Sequence, residues 1–478
     1  MASKNRYDLL VIGGGPAGYV GAIRAAQLGM SVACIENDKL GGVCLNWGCI
    51  PTKALLAGAE FYHRLRHDAA DWGILAENVG HDWSKVIGRS RNVAGTLNRG
   101  IHGLFKKHKI THIEGFARIT GPGSVDVLKG GPEGEKADTV KARHIVIATG
   151  ARSRSLPGAD FDGEKIIASK EAMTLPEQPE SLIIVGAGAI GMEFAYFYNA
   201  FGTKVTVIEM LDRLLPIEDH EVSKAIARSF KKQGIDTHTA TRTTEVKKTK
   251  KGVEVTIADA ADEKKTKKLE ADKVLVAIGV RGNHEGLFDD KLGVEIVKDH
   301  IKVDKDTYQT SVKGVYAVGD VIGPPWLAHV ASEEAVVCVE RIAGHDAAAI
   351  DYEAIPACTY CQPQVASLGK TEQELKEAGL KPDEDYRIGK FPFQASGKAQ
   401  AMGTTEGFIK LLTDTKYGEL LGAHMIGEGV TELLAELGLA RRLEATASEI
   451  IATIHAHPTL SEAVHEAALG TEGRTLHF

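Results

Sequence analysis

The sequence is poor in cysteine, lacks any long uncharged apolar run and has no excess of positive charge. Each shortage removes a class of protein. Six cysteines in 478 residues are too few for the disulfide framework of a secreted scaffold. No segment reaches the roughly 18 uncharged apolar residues that a membrane span needs, so no membrane attachment is expected. The formal net charge of −7 argues against a general nucleic-acid binder, which presents a clustered basic face. Two lysine-rich runs, Lys247–Lys251 and Lys264–Lys268, lie beside the alternating Val253–Ile257 segment. They read as the solvated loops of a small β-meander. No apolar signal region precedes the first apolar segment at Tyr7, so a soluble cytoplasmic protein is expected. An organelle-matrix protein that has lost a transit peptide is the alternative. In a reducing compartment a disulfide is expected to be catalytic. At about 150 residues per domain, the length suggests three domains.

What is present begins with a strand at Tyr7–Ile12, followed by Gly13-Gly14-Gly15-Pro16-Ala17-Gly18, a helix to about Leu28 and a strand ending at Glu36. This is G-x-G-x-x-G in the strand–turn–helix setting the motif requires. Gly13 permits the tight turn, Gly15 lets backbone approach a pyrophosphate, and Gly18 lets the helix pack on the strand. Glu36 is placed to accept from ribose hydroxyls. The pattern then repeats, with a strand at Ser181–Val185, Gly186-Ala187-Gly188-Ala189-Ile190-Gly191, a helix to about Phe201, and a strand Lys204–Ile208 ending at Glu209. Two dinucleotide sites in one chain let one cofactor donate and the other accept. A carboxylate at Glu209 disfavours a 2′-phosphate and favours NAD over NADP; Arg213, just beyond, weakens that slightly.

Between the fingerprints lies Gly41-Gly42-Val43-Cys44-Leu45-Asn46-Trp47-Gly48-Cys49-Ile50-Pro51-Thr52-Lys53. Taken alone, Cys44 and Cys49 could be buried structural cysteines or half of a metal site. The neighbouring nucleotide motif supplies a redox partner and favours a reactive dithiol. A helix is expected over Thr52–Leu65 and another over about Trp83–His108, then short strands to Val140 and a strand His144–Ala148. Thr149-Gly150, which follows, is either a plain strand end or a close approach to the dinucleotide. Gly319-Asp320 follows the strand Gly314–Val318 and by itself reads as a turn. Cys358-x-x-Cys361 has no second Cys/His pair at zinc spacing, so no metal site is expected. Helices are expected at Val430–Arg442 and Ala447–His455, and Thr459 is expected to open the next helix. Near the C-terminus stands His457-Pro458-Thr459-Leu460-Ser461-Glu462, where Thr459-x-x-Glu462 also fits a capping box.

The thirteen-residue string around Cys44 and Cys49 resembles the redox-active disulfide segment of the flavin disulfide reductases, most closely their dihydrolipoamide dehydrogenase branch. Glutathione and mercuric reductases carry a similar segment. The resemblance implies an α/β fold with two Rossmann-like dinucleotide-binding domains and a C-terminal α+β dimerisation domain. The boundaries expected are 1–150 for the first part of the FAD domain, 151–280 for the NAD domain, 281–349 for the second FAD-binding part, and 350–478 for dimerisation.

It further implies FAD at Gly13, Gly15, Gly18, Glu36, Lys53, Thr149, Gly150 and Asp320, and NAD at Gly186, Gly188, Gly191, Glu193, Glu209 and Gly279. The stretch Gly279–Asn283 departs from the basic residues and proline common in the family. Lys53 is expected near the flavin, with Glu193 as its partner. Cys44 is implied to be the outer sulfur and Cys49 the inner one. His457 is implied to be the acid/base, oriented by Glu462 and reaching the sulfur pair across a homodimer. The expected partners are lipoyl-bearing domains and the acyltransferase core of 2-oxo acid dehydrogenase complexes, or a glycine-cleavage system. The rivals are an NADPH-dependent glutathione or mercuric reductase-like enzyme and a non-catalytic flavoprotein.

Overall fold

The computed structural model describes residues 6–478. The chain divides into two compact units. The first joins residues up to Leu55 with Ser84–Arg154 and Gly279–Ile350; the second joins Leu56–Trp83 with Ser155–Ile278 and Asp351–Phe478.

The first unit is built on a seven-stranded sheet. Its parallel half runs in the order Thr111–Glu114, Val32–Glu36, Arg6–Ile12, Glu135–Ile147, with Val315–Ala317 also paired to the last of these. Strands buried on both faces must be apolar throughout, and Leu9, Leu10, Val11 and Ile12 are at most 3% exposed. Burying each such side chain contributes about 1.5–3 kcal/mol. Short strands stand at Thr111–Glu114, Phe116–Gly121 and Ser124–Lys129 as expected, but the last segment before Val140 and the strand expected at His144 merge into one continuous strand, Glu135–Ile147. Its first half pairs antiparallel with Ser124–Lys129 and its second half parallel with Arg6–Ile12. No glycine or proline interrupts the run after Gly134, so nothing breaks the strand where its partner changes. The helix Pro16–Gln27 packs against the helix Ala328–Ile342, where Gly21 faces Ala335.

The second unit holds two five-stranded sheets. One is parallel, in the order Asp236–His238, Lys204–Ile208, Ser181–Val185, Lys273–Val276, Ile166–Ile167. The other is antiparallel, formed by residues 357–359, 364–369, 420–427, 408–414 and 386–392 in that order. A three-stranded meander, Thr241–Lys248, Val253–Asp259 and Thr266–Ala271, accompanies the first. The lysine runs are only partly loops. Lys247 and Lys248 end one strand, and Lys267 and Lys268 lie on another, where Lys268 pairs with Glu254 at 2.8 Å. Alternation lets such strands keep a solvated face.

A buried charge cluster sits within this unit. Lys410, fully buried on its strand, reaches the Asp219 carboxylate at 3.1 Å, Glu221 at 2.9 Å and Glu372 at 2.5 Å. Asp219 also caps the helix His220–Lys232 by accepting from the Glu221 N–H. Charges taken out of water this far must be paired, and here three carboxylates surround one ammonium. Next to them Glu218 is pushed up to about 7 by burial.

Candidate active site

In the first unit the Gly-rich loop leaves the strand at Gly13 with φ +101°, a conformation that a Cβ would strain, and the Cβ would also strike the Ala148 carbonyl. Gly18 lies against the Gly13 carbonyl and leaves no room for a side chain. Glu36 fastens the loop, one oxygen accepting from the Gly14 N–H at 2.6 Å and the other from the Asp38 N–H at 2.7 Å. The helix that starts at Pro16 points its free N–H groups and its positive dipole end at the space beyond, which suits a phosphate. That space is a cavity of about 490 Å³, within the range of about 300–1,000 Å³ typical of cofactor sites.

The dithiol segment forms another wall of this cavity. Gly42 approaches Gly15 so closely that a Cβ on it would lie 2.6 Å from the Gly15 Cα. Cys44 then lies in the short helix Gly42–Trp47, and Cys49 opens the helix Cys49–His67 after the break at Gly48. Both are thiols, and their side chains hydrogen-bond to each other. Cys44 is half-buried and Cys49 is exposed. The Cys44 thiol is pushed far up from its ordinary pKa, first by the hydrogen bond to Cys49 and then by burial, with Lys53 pulling the other way. Trp47 closes the segment, its indole N–H donating to Asp38 at 3.1 Å.

Thr149 and Gly150 belong to the same wall. They are stitched to a residue that sequence reasoning did not assign, Asn283. The Thr149 hydroxyl donates to the Asn283 carbonyl at 2.6 Å, and the Asn283 amide returns a bond to the Thr149 carbonyl at 3.0 Å. Asp320 lines the cavity too, and burial pushes its carboxyl up to about 6. The preceding Gly319 N–H donates to Glu334 at 2.7 Å. Glu334 is only 3% exposed and was also missed. The available signal was its place on the apolar face of its helix, among Val330, Ala331, Ala335 and Val337.

A dinucleotide flavin fits these residues. The glycine cradle would be filled by any Cβ at Gly42, the helix end suits its diphosphate, and the Asp320 carboxyl offers an acceptor to its hydroxyls.

The second fingerprint repeats the arrangement in the second unit. Gly186 has φ +108°, Gly191 packs on the Gly186 carbonyl, and Gly279, with φ +109°, ends the segment after the neighbouring strand. Glu209 accepts from the Ala187 N–H at 2.7 Å and the Leu211 N–H at 2.9 Å. A Cβ on Gly188 would meet nothing within 4 Å. Arg213 is held by Asp212 at 2.7 Å and by the Pro216 carbonyl at 3.2 Å, so it is already occupied within its own turn. Glu193 is buried at 4% exposure and accepts from the Tyr360 N–H at 3.0 Å. Cys358 hydrogen-bonds Tyr360, and the buried Cys361 lies 3.5 Å from the Pro363 carbonyl. No cluster of three or more His, Cys, Asp or Glu fit for a metal occurs among the described residues.

Also in the second unit, His457 Nδ1 lies 2.8 Å from Glu462 Oε1, while Glu462 Oε2 accepts from the Thr459 N–H at 2.8 Å. Burial pushes the Glu462 carboxyl up, but the Thr459 N–H and His457 outweigh it and hold it below the usual range. An ionised carboxylate only accepts, so Nδ1 carries the proton and Nε2 keeps a lone pair. The His457 side chain is 80% exposed. The capping box expected at Thr459 is only half formed: Glu462 accepts from the Thr459 N–H, but the Thr459 hydroxyl donates to the Ala456 carbonyl at 2.7 Å and the helix has no side-chain cap. The helix opens at Glu462 rather than at Thr459, because Leu460 and Ser461 still belong to the turn. The preceding helix also stops early, at Ala452, since the chain is already extended at Thr453. His455 pairs with Glu436 at 2.7 Å.

Residues 7–335 match the model of the pyridine nucleotide-disulphide oxidoreductases, and residues 355–468 match the dimerisation domain of the same group. A dihydrolipoyl dehydrogenase from Zymomonas mobilis is 46% identical, covering 99% of this chain and all of the relative. One from Rhizobium etli is 45% identical over 98% of this chain and 99% of its own length, and one from Bacillus subtilis is 43% identical over 99% of each. The crystal structure of LpdA from Mycobacterium tuberculosis is similar with a TM-score of 0.88 at 26% identity, covering 97% of this chain and 99% of that one.

Proposed function

Because the chain belongs to the pyridine nucleotide-disulphide oxidoreductases, we propose that it is a dihydrolipoyl dehydrogenase, oxidising protein-bound dihydrolipoamide with NAD+. The observation that carries this reading is the Cys44–Cys49 pair, its sulfurs in contact, in the wall of the cavity that the first fingerprint builds. Full-length relatives bearing that name support it. When bound, FAD at the first fingerprint and NAD+ at the second supply the two-electron relay that reoxidises the sulfur pair.

The chain's own residues do the rest. His457 Nε2 takes the proton of a substrate thiol, and Glu462 holds the ring in the tautomer that leaves this nitrogen free. The substrate thiolate attacks Cys44 of the Cys44–Cys49 disulfide. The S–S bond breaks, Cys49 leaves as a thiolate, and a mixed disulfide forms on Cys44. The second substrate thiol then attacks its own sulfur in that mixed disulfide, releasing cyclic lipoamide and returning Cys44 as a thiol. The hydrogen bond to Cys49 and burial hold the proton on Cys44, so we place the charge of the reduced pair on Cys49. Lys53, the cation that acts on Cys44, helps to hold that charge.

The chain carries a dimerisation domain. In the homodimer we assign, His457 of one protomer serves the sulfur pair of the other, and the exposure of its ring suits that role. The acyltransferase core of a 2-oxo acid dehydrogenase complex, or a glycine-cleavage system, would supply the lipoyl substrate. No helix among the described residues is long and apolar enough to cross a membrane, and we assign the enzyme to the cytoplasm.

Turnover of dihydrolipoamide with NAD+ against oxidised glutathione with NADPH tests the reading. The first pair should exceed the second by at least about a thousandfold, and Cys44→Ser should lower it by a similar factor. Full turnover by Cys44→Ser would overturn the assignment.

A further inference from the structure

The second Gly-rich loop is held from both sides. Glu209 accepts from the Ala187 N–H, and the Ala187 carbonyl accepts from the Leu215 N–H at 2.9 Å. Leu215 is 2% exposed and has φ +45°. A bulky side chain adopts that conformation only where the surrounding structure imposes it. The structure that imposes it lies just downstream. The Leu215 carbonyl accepts from the Glu218 N–H at 3.0 Å and from the Ser223 hydroxyl at 3.2 Å. The Glu218 carbonyl accepts from the Gln373 side-chain amide at 3.0 Å. Asp219, the next residue, takes Lys410 at 3.1 Å. An unbroken series of bonds therefore runs from the nucleotide loop to the buried charge cluster.

Glu218 is the unbalanced member of that series. It is 3% exposed. Its carboxyl is hydrogen-bonded to the Ser367 side chain, and its Oε2 has no hydrogen-bond partner among the described residues. The charged groups of the cluster beside it come from every neighbouring element. Its own segment brings Asp219, and the helix that follows brings Glu221. The helix Glu372–Glu377 brings Glu372 and Glu374, the strand Phe408–Asp414 brings Lys410, and the strand Leu420–Gly427 brings His424. Lys410 is already shared among Asp219, Glu221 and Glu372. Burial pulls the pKa of His424 down and keeps it neutral. Lys390 and Lys376 stand at the rim, on Glu221 and Glu372. An ionised Glu218 would meet the Asp219 carboxylate with no cation left to pair with it. A neutral carboxyl fits this place; a charged one drives its segment to move.

We propose that Glu218 is a positioning residue for NAD+: while its carboxyl is neutral, the Leu215–Asp219 segment holds the Leu215 N–H on the Ala187 carbonyl and keeps the loop in its binding form, and ionisation releases the segment and weakens the site. This rests on the assignment of NAD+ to the second fingerprint and adds a proton-controlled support behind it. Burial pushes Glu218 up to about 7, so affinity for NAD+ should be greatest below that pH and fall as pH rises through it. One unit of pKa difference between free and NAD+-bound protein corresponds to about a tenfold change in affinity.

The test is a titration of the flavin-loaded enzyme with NAD+, without dihydrolipoamide, followed by fluorescence across this pH range. Wild-type Kd should rise about tenfold between about pH 6 and about pH 8.5. Glu218→Gln, an isostere of the neutral acid, should match wild type at low pH and keep that affinity at high pH. Ser367→Ala removes a bond that favours the ionised form, so the midpoint should move up. Gln373→Ala loosens the segment without touching the titrating group, and should weaken binding about threefold at every pH with the midpoint unmoved. Flavin content should not change in any of these variants. A wild-type Kd that does not vary with pH overturns the proposal. So does a wild-type slope in Glu218→Gln, or a loss in Glu218→Gln that is equal at every pH, which marks a merely structural role. If Glu218→Gln fails to fold, an unmoved midpoint in Ser367→Ala overturns it by itself. A wild type that binds no NAD+ at any pH overturns the nucleotide assignment, and this inference with it, so the two failures stay distinct.

Discussion

Both Gly-rich loops are tied down in the same way, by a glutamate at the end of the second strand that accepts from one loop amide and from the amide two residues beyond itself. They differ in what covers them. The Gly13–Gly18 loop has the Gly41–Cys44 segment pressed against it, with Gly42 and Gly15 backbone to backbone, and a cavity formed between. The Gly186–Gly191 loop has open space at Gly188, flanked by exposed Ile190, Met210 and Leu211. The first design suits a cofactor that stays; the second suits one that comes and goes. On the proposed assignment, one fingerprint would do two jobs according to the segment laid over it.

The strongest challenge to that contrast is a matched pair of overpacking changes. Gly18→Val and Gly191→Val each drive a side chain into a backbone carbonyl, with a cost of about 1–3 kcal/mol and a loss of up to about a hundredfold in ligand retention. Gly18→Val should purify colourless. Gly191→Val should stay yellow and lose NAD+ binding, read by absorbance and by titration. A colourless Gly191→Val would break the contrast.

The next pair isolates the covering segment. Gly42→Ala should release flavin about tenfold more readily, because its Cβ meets the Gly15 Cα and its φ is +57°. Gly188→Ala, with space available, should change KM for NAD+ by less than about twofold. Smaller again is Glu209→Gln. An amide side chain cannot accept from both the Ala187 and Leu211 N–H groups, and one unsatisfied buried donor costs about 1–3 kcal/mol. KM for NAD+ should rise several-fold while flavin content stays constant.

The smallest effect is a slope with pH. The Asp320 carboxyl, raised to about 6 in the folded protein, binds its proton more tightly folded than unfolded. Flavin-free protein should therefore lose stability as pH climbs from about 4 to about 6. Thermal melting of Asp320→Asn should lack that slope.

Much of this layout was legible in the sequence. The strands Ser181–Val185 and Lys204–Ile208 and the helix Val430–Arg442 lie at their expected bounds, because apolar runs bracketed by glycines and charges leave little choice. Glycine spacing announced both loops, and the resemblance of the His457–Glu462 string to its family counterpart implied a hydrogen bond that is present. Hidden were the partners that only a folded chain brings together. Asn283 meets Thr149 across 134 positions, and Lys410 meets Asp219 across 191. Nothing local marks either residue, since an asparagine after a glycine reads as a turn and a lysine in an apolar strand reads as an edge. The merged Glu135–Ile147 strand was hidden for a related reason: its two halves answer to different neighbours.

The double tether on Glu209 has a consequence for how the enzyme tells its nucleotides apart. With one oxygen bonded on each side, the carboxylate is held against rotation. On the proposal that Glu209 faces the nucleotide ribose, discrimination at this site would be a property of a stationary anion rather than of a gate. It should persist across temperature and in variants that loosen the surrounding loop, so long as both amides remain in place.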